Sequence, residues 1–211
     1  MGRPHLPVRF LGIEPRDRAL YMPISKISAE WAQKLLGACG IGSEDKILAI
    51  HPAASCLSKI WPPERFAEAT DKLADKYGFK IVIISAAKDL ALAQGVERRL
   101  AHPAVNLAGK TSVSQLASIL KRCALFISND SGPVHIASAL GVPVISIFGR
   151  NQAGLSPKRW GALGEKSAAL HKPAGCIECL AHNCKKEFLC LKSISVDDVI
   201  KAADSLLSPR R

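Results

Sequence analysis

The sequence predicts an α/β protein built on a doubly wound parallel sheet with helices on both faces. Three observations predict it. Short apolar runs alternate regularly with segments of helical period from residue 28 to residue 207. The runs are β-branched and continuously apolar, as strands buried on both faces must be. The residues able to do chemistry stand just after those runs, where such sheets bind their ligands.

Taken in order, residues 1–27 carry Pro4, Pro7, Pro15 and Pro23, which leave little room for long regular elements, and they read as a lead-in. Ser28 is placed to cap a helix whose Trp31, Leu35 and Leu36 share a face. Residues 46–50 (KILAI) are the first strand. Residues 62–77 are a helix with Phe66, Leu73 and Tyr77 on one side and proline in its first turn. A strand at 80–84 (KIVII), a helix at 89–100 and a short strand at 105–107 follow. Ser112 and Gln115 have the spacing of a capping box, opening a helix with Val113, Leu116, Ile119 and Leu120. Residues 125–128 are a strand, 133–140 a helix and 144–148 (VISIF) a strand. Ser195 and Asp198 cap a closing helix with Val199, Ala203 and Leu206. A sheet order 3-2-1-4-5 would bring the loops after the first and fourth strands together at the point where strand order reverses.

A chain of 211 residues, 48% apolar, buries a core without disulfides or metals. No apolar run is long enough to span a bilayer, and the N-terminal residues lack the apolar stretch of a signal peptide. A cytoplasmic protein is the expectation. Its 29 Lys and Arg against 18 Asp and Glu give a formal charge of +11, which favours anionic partners. Nucleic acid is the weakest of these. The basic residues are scattered, aromatics are few, and no zinc-finger, RRM or basic-zipper pattern occurs. The odd count of seven cysteines fits reduced thiols.

The strongest constellation is Asn129-Asp-Ser-Gly-Pro-Val-His135. A buried strand ends, small residues turn, and a helix starts. The amides of Ser131 and Gly132 would meet an anion at the helix N-terminus, and Gly132 lets a phosphate come close to the backbone. Asp130 and His135 are near enough to share the site. The plainer reading is that Asp130 or Ser131 only caps the helix and His135 is a core histidine. Next comes Ser55-x3-Lys59-Ile-Trp61-Pro62, where Lys59 is a point charge suited to a diphosphate and Trp61 a packing anchor. Alone, Lys59 reads as a solvated loop lysine. Beside the Asp-Ser-Gly turn, it reads as a ligand for phosphate.

Gly109-Lys110-Thr111 is not a phosphate loop, because Ala104 stands where that motif needs glycine. It reads as a loop that touches base or ribose. No G-x-G-x-x-G follows any strand, so a nicotinamide site is not expected. No Ser-His-Asp set or paired carboxylates can be assembled. Asp89, Asp130 and His135 are the titratable groups placed to act. Cys176-x2-Cys179-x4-Cys184-x5-Cys190, with His171 and His182 nearby, has the ingredients of a zinc site at tighter spacing than usual. The alternative is a cysteine-rich surface segment, and no metal is the expectation.

Together these motifs resemble glycosyltransferase family 9, the ADP-heptose:lipopolysaccharide heptosyltransferases. The family pattern H-P-G-[AT]-S-x3-K-x-W-P is met by His51-Pro-Ala-Ala-Ser55 through Lys59-Ile-Trp-Pro62. G-K-[ST] is met by Gly109-Lys-Thr111, and the later motif by Asn129 through Pro143, then Ile147-Phe-Gly149. The resemblance spans residues 28–207 and implies the nucleotide-binding, Rossmann-like half of a two-domain GT-B enzyme. On that reading residues 1–27 are linker from a missing acceptor half and 208–211 a tail.

The resemblance implies inverting, metal-independent transfer of heptose from ADP-heptose, with no cofactor, to a hydroxyl of the lipopolysaccharide inner core. The acceptor would be held by the other domain, which also carries the general base. Peripheral contact with the inner membrane and no nucleic-acid partner follow. Lys59 and the Ser131 and Gly132 amides would hold the diphosphate. Asp130 and His135 would lie near phosphates and sugar. Ser55 and Thr111 would line the site, and Asp89 would stand where the family often has Glu. Two departures are Ala53 and Ser85-Ala86 in place of glycines, each adding a methyl near the ligand. The chain alone would bind donor but transfer poorly or not at all. The other readings are a stand-alone sugar-nucleotide-binding module, another GT-B glycosyltransferase, or a sugar-nucleotide epimerase.

Overall fold

The computed structural model describes residues 12, 20–152, 154–176, 179 and 181–208. Most of the expected linker (1–11 and 13–19) and the tail at 209–211 lie outside the described residues. Helix α1 is Lys26–Ala38. The alternation then begins, with β1 Ile47–His51, α2 Pro63–Tyr77, β2 Lys80–Ile83 and α3 Leu90–Glu97. It continues through β3 Ala104–Asn106, α4 Val113–Lys121, β4 Cys123–Asn129, α5 Gly132–Ala139 and β5 Val144–Ile147. The short helix α6 Pro157–Trp160, β6 Ser167–Leu170, α7 Leu189–Lys192 and α8 Val196–Leu207 complete the order.

The sheet is parallel, ordered β3-β2-β1-β4-β5-β6. The expected order holds, with β6 added at the β5 edge. Period-two burial builds both faces. Leu48, Ile50, Ile81, Ile83, Leu125, Ile127, Ile145 and Ile147 face α2, α3 and α8, among Phe66, Leu73, Val96 and Val199. Ile47, Ala49, Val82, Phe126 and Val144 face α1, α4 and α5, among Leu36, Leu120 and Ala137. Residues one apart point to opposite faces, so a strand buried on both must be apolar throughout.

The capping boxes stand as expected. Ser112 Oγ accepts from Gln115 N while Gln115 accepts from Ser112 N, and Ser195 and Asp198 do the same for α8. The first cap differs. Ser25, not Ser28, caps α1, its Oγ accepting from Ser28 N at 3.2 Å. Ser28 sits inside the helix, where its hydroxyl meets Ser114 Oγ at 2.7 Å and ties α1 to α4. The third helix is shorter than expected, ending at Glu97.

Candidate functional site

Parallel strands deliver their C-terminal ends to one side of the sheet, and β1 and β4 are neighbours there. The polar residues buried at that edge mark a site, since the core has no other use for them. They are His51 at the end of β1, Ser58 in the loop after it, Ser128 and Asn129 at the end of β4, and Arg150 after β5.

Asn129 builds the loop after β1. Its amide nitrogen donates to Pro52 O at 2.7 Å and its oxygen accepts from Trp61 N at 3.0 Å, so one buried side chain holds both ends. Trp61 is the packing anchor expected of it. Fully buried, it meets Phe66 edge-on at 5.1 Å and donates its Nε1 hydrogen to Ile194 O at 3.0 Å. Between these ends the chain makes the turn Leu57–Lys59 and delivers Lys59 to the mouth of α5. There Lys59 Nζ pairs with Asp130 Oδ2 at 2.7 Å, with the side chains 20% and 11% exposed.

Ser131 occupies the N-cap position of α5, yet its side chain does not cap the helix. Its hydroxyl turns to Ser128 Oγ at 2.9 Å and His51 Nδ1 at 3.2 Å. The helix N-terminus is therefore left without a side-chain oxygen on its amides, which is the condition for binding an anion there. Nothing lies within 4 Å of the point where a Cβ on Gly132 would stand, so the space beside that backbone is open. Burial pushes the His51 ring down to about 4, against the raising effect of the Asp89 carboxylate. His51 is thus neutral at neutral pH and supports Ser131 without adding charge.

The remaining expected residues divide. Asp89 closes the turn after β2 and acts on His51. His135 sits on the first turn of α5, half-buried, its ring 6.5 Å from that of Trp160. Ser55 is exposed in the Lys59 loop, where its hydroxyl points to Cys56 Sγ at 3.9 Å rather than to the Lys59–Asp130 pair. Thr111 is half-buried after β3, two strands from β1. The departure at Ala53 is fully buried, whereas Ala86 is exposed. Sequence reasoning gave no role to His51, Ser58, Ser128, Asn129 or Arg150. The spaced motifs contained His51 and Asn129, but nothing in the sequence marked Arg150 as buried.

The four cysteines proposed for zinc line one cavity of 480 Å³, together with His171, whose Nδ1 lies 3.1 Å from Phe148 O. His182 lies on the turn Ala181–Asn183 and does not line it. Among the described residues no three His, Cys, Asp or Glu groups converge to hold a metal ion. Burial raises the Cys190 thiol, which donates to Gly149 O at 2.8 Å. Residues 177, 178 and 180 of this segment lie outside the described set. No helix of the described residues is long and apolar enough to cross a membrane.

The sequence model of glycosyltransferase family 9 (heptosyltransferase) matches residues 7–189. The chain belongs to glycosyltransferase family 9. It is 36% identical over 115 residues to lipopolysaccharide heptosyltransferase 3 of Escherichia coli (strain K12), covering 52% of this chain and 32% of that protein. It is 31% identical over 169 residues to lipooligosaccharide heptosyltransferase 2 of Campylobacter jejuni subsp. jejuni serotype O:2, covering 77% and 51%. The crystal structure of the glycosyl transferase family 9 from Veillonella parvula DSM 2008 superposes with a TM-score of 0.84 at 28% identity, over 95% of this chain and 57% of that one. The fold of E. coli ADP-heptose lps heptosyltransferase II agrees, with a TM-score of 0.74 at 23% identity over 92% and 55%. The chain thus spans about half the length, or less, of the relatives it matches. The family 9 sheet places Lys59 and the open end of α5 at its switch point.

Proposed function

We propose that this chain holds the sugar-nucleotide donor of a heptosyl transfer, with ADP-heptose as donor and a hydroxyl of the lipopolysaccharide inner core as acceptor. The observation that carries the reading is the Lys59–Asp130 pair set against the side-chain-free N-terminus of α5. A diphosphate docking there replaces Asp130 as the partner of Lys59. It also meets the amides of Ser131 and Gly132 at the helix N-terminus, where the dipole favours an anion. As the glycosidic bond to the diphosphate breaks, negative charge grows on the leaving oxygen. Lys59 and the fixed amides stabilise that charge more than they stabilise the bound donor, and this difference lowers the barrier. Asp130 and His135 stand on the sugar side, Asp89 behind His51, and Ser55 and Thr111 on the rims.

In this reading the acceptor and the base that deprotonates it belong to a second GT-B half. The names of the relatives support the donor and acceptor, and their greater length supports the second half. The basic surface supports working beside phosphorylated lipid at a membrane face. Calorimetric titration of the purified chain with ADP, UDP and GDP tests the proposal. ADP-selective binding that Lys59→Ala weakens is the expected result. Preference for UDP would favour a different nucleotide-sugar enzyme, and no binding to any of the three would defeat the reading.

A further inference from the structure

Arg150 is buried in the wrong company. It follows β5, is 8% exposed, and carries a charge that no protein environment removes. Its partners are neutral. Nε and Nη2 both donate to Ser58 Oγ, at 3.1 and 2.5 Å, and Nη2 reaches Cys56 Sγ at 3.1 Å. Among the described residues no carboxylate stands within 4.0 Å of the guanidinium. Among the described residues only neutral groups hold this buried cation, and the contacts it does make show what it acts on.

Ser58 is itself 4% exposed and is the residue before Lys59. Gly149, the residue before Arg150, grips the same point. A Cβ there would stand 2.5 Å from Ser58 O, so only glycine allows this approach. Asn129 holds the two ends of the loop from β4, while Gly149 and Arg150 hold its middle from β5. Lys59 therefore starts from a backbone fixed at three points.

We infer that Arg150 is the positioning residue of the anion site: through Ser58 it sets Lys59 at the mouth of α5. The inference rests on the donor-binding reading for the identity of the anion, not for the positioning.

Two measurements on the purified chain test it, using Arg150→Met, Arg150→Lys and Ser58→Ala. The first needs no ligand: lysine acylation read peptide by peptide by mass spectrometry. Labelling of Lys59 rises several-fold in all three variants, while Lys76 and Lys121, held on other elements, keep their wild-type rates. The second is ADP titration. All three variants weaken ADP, Arg150→Met by about tenfold or more, the loss expected when Lys59 no longer makes its charge-assisted contact. Unchanged Lys59 labelling in Arg150→Met overturns the positioning role. Increased labelling at Lys76 and Lys121 as well would make Arg150 a scaffold residue and also overturns it. Changed labelling with unchanged ADP affinity removes Arg150 from the anion site. If wild type binds no ADP, the donor reading fails, and the labelling still decides the positioning.

Discussion

Lys59 Nζ lies 2.7 Å from Asp130 Oδ2, closing the gap between the loop after β1 and the loop after β4. Asp130 satisfies Lys59, and on the donor-binding proposal a bound diphosphate takes its place. This exchange makes the two residues unequal. Lys59→Met removes an attraction for the ligand, and ADP affinity falls by about tenfold or more. Asp130→Asn removes a repulsion, and ADP affinity stays within about threefold of wild type or rises. Titration calorimetry on both variants checks this, and equal losses would refute the exchange.

Two glycines separate packing from binding. A Cβ on Gly149 would meet Ser58 O at 2.5 Å and Leu191 Cγ at 2.9 Å. Gly149→Ala is therefore overpacked and loses about 1–3 kcal/mol in urea melts. A Cβ on Gly132 meets nothing within 4 Å. Gly132→Ala leaves stability within about 0.5 kcal/mol, because nothing must move. Its methyl instead occupies the approach of the phosphate, so ADP binding drops while the melt does not. A Gly132→Ala protein with normal ADP affinity would move the anion away from α5.

His51 makes stability depend on pH in a defined direction. Burial lowers its pKa from 6.5 to about 4. Between those values the unfolded chain binds a proton that the folded chain excludes. The stability tied to the neutral ring is complete above the unfolded value and is lost as pH falls from 6.5 through 4. Its full size is on the order of 3 kcal/mol. Urea melts of wild type and His51→Gln at about pH 7 and about pH 4.5 should show wild type losing most of that difference and the variant little of it. Parallel losses in the two proteins would place the acid sensitivity elsewhere.

Asn129 gives a test of the loop itself. Asn129→Asp keeps the shape and can still accept from Trp61 N, but it cannot donate to Pro52 O. The buried carbonyl loses its partner, and a carboxylate stands in its place. The expected cost is about 2–4 kcal/mol by urea melt, with weaker ADP binding because Lys59 sits on the loop that Asn129 ties down. Restored binding in a melt-stable Asn129→Asp protein would show that the tie is dispensable.

Much of this was legible from residue order. Strands β1 to β5, the two capping boxes and the candidate site at the ends of β1 and β4 all carry local signals. What residue order leaves undecided has physical causes. Strand β6 is Ser167-Ala-Ala-Leu170, without a β-branched residue, and it exists because β5 offers it an edge to pair with. Ser25 and Ser28 are equally good cap residues by type, so composition could not choose between them. Thr111 stands in the expected loop, but its distance from Lys59 depends on strand order rather than on sequence. The four late cysteines have a suggestive spacing and share a cavity, yet spacing does not bring thiols to a common point.

The sequence by itself determined the doubly wound sheet, because strands buried on both faces need unbroken apolar runs and their helices need one apolar stripe. It also determined that Lys59 and the Asp130–Gly132 turn each follow a strand; sheet order made those strands neighbours. Only the tertiary structure decided the partners: that Asp130 receives Lys59, that Ser131 turns from capping to His51, and that Arg150 is buried against Ser58. Periodicity is a property of nearby residues and can be read along the chain. Which charge meets which hydroxyl depends on residues tens of positions apart, and packing alone brings those together.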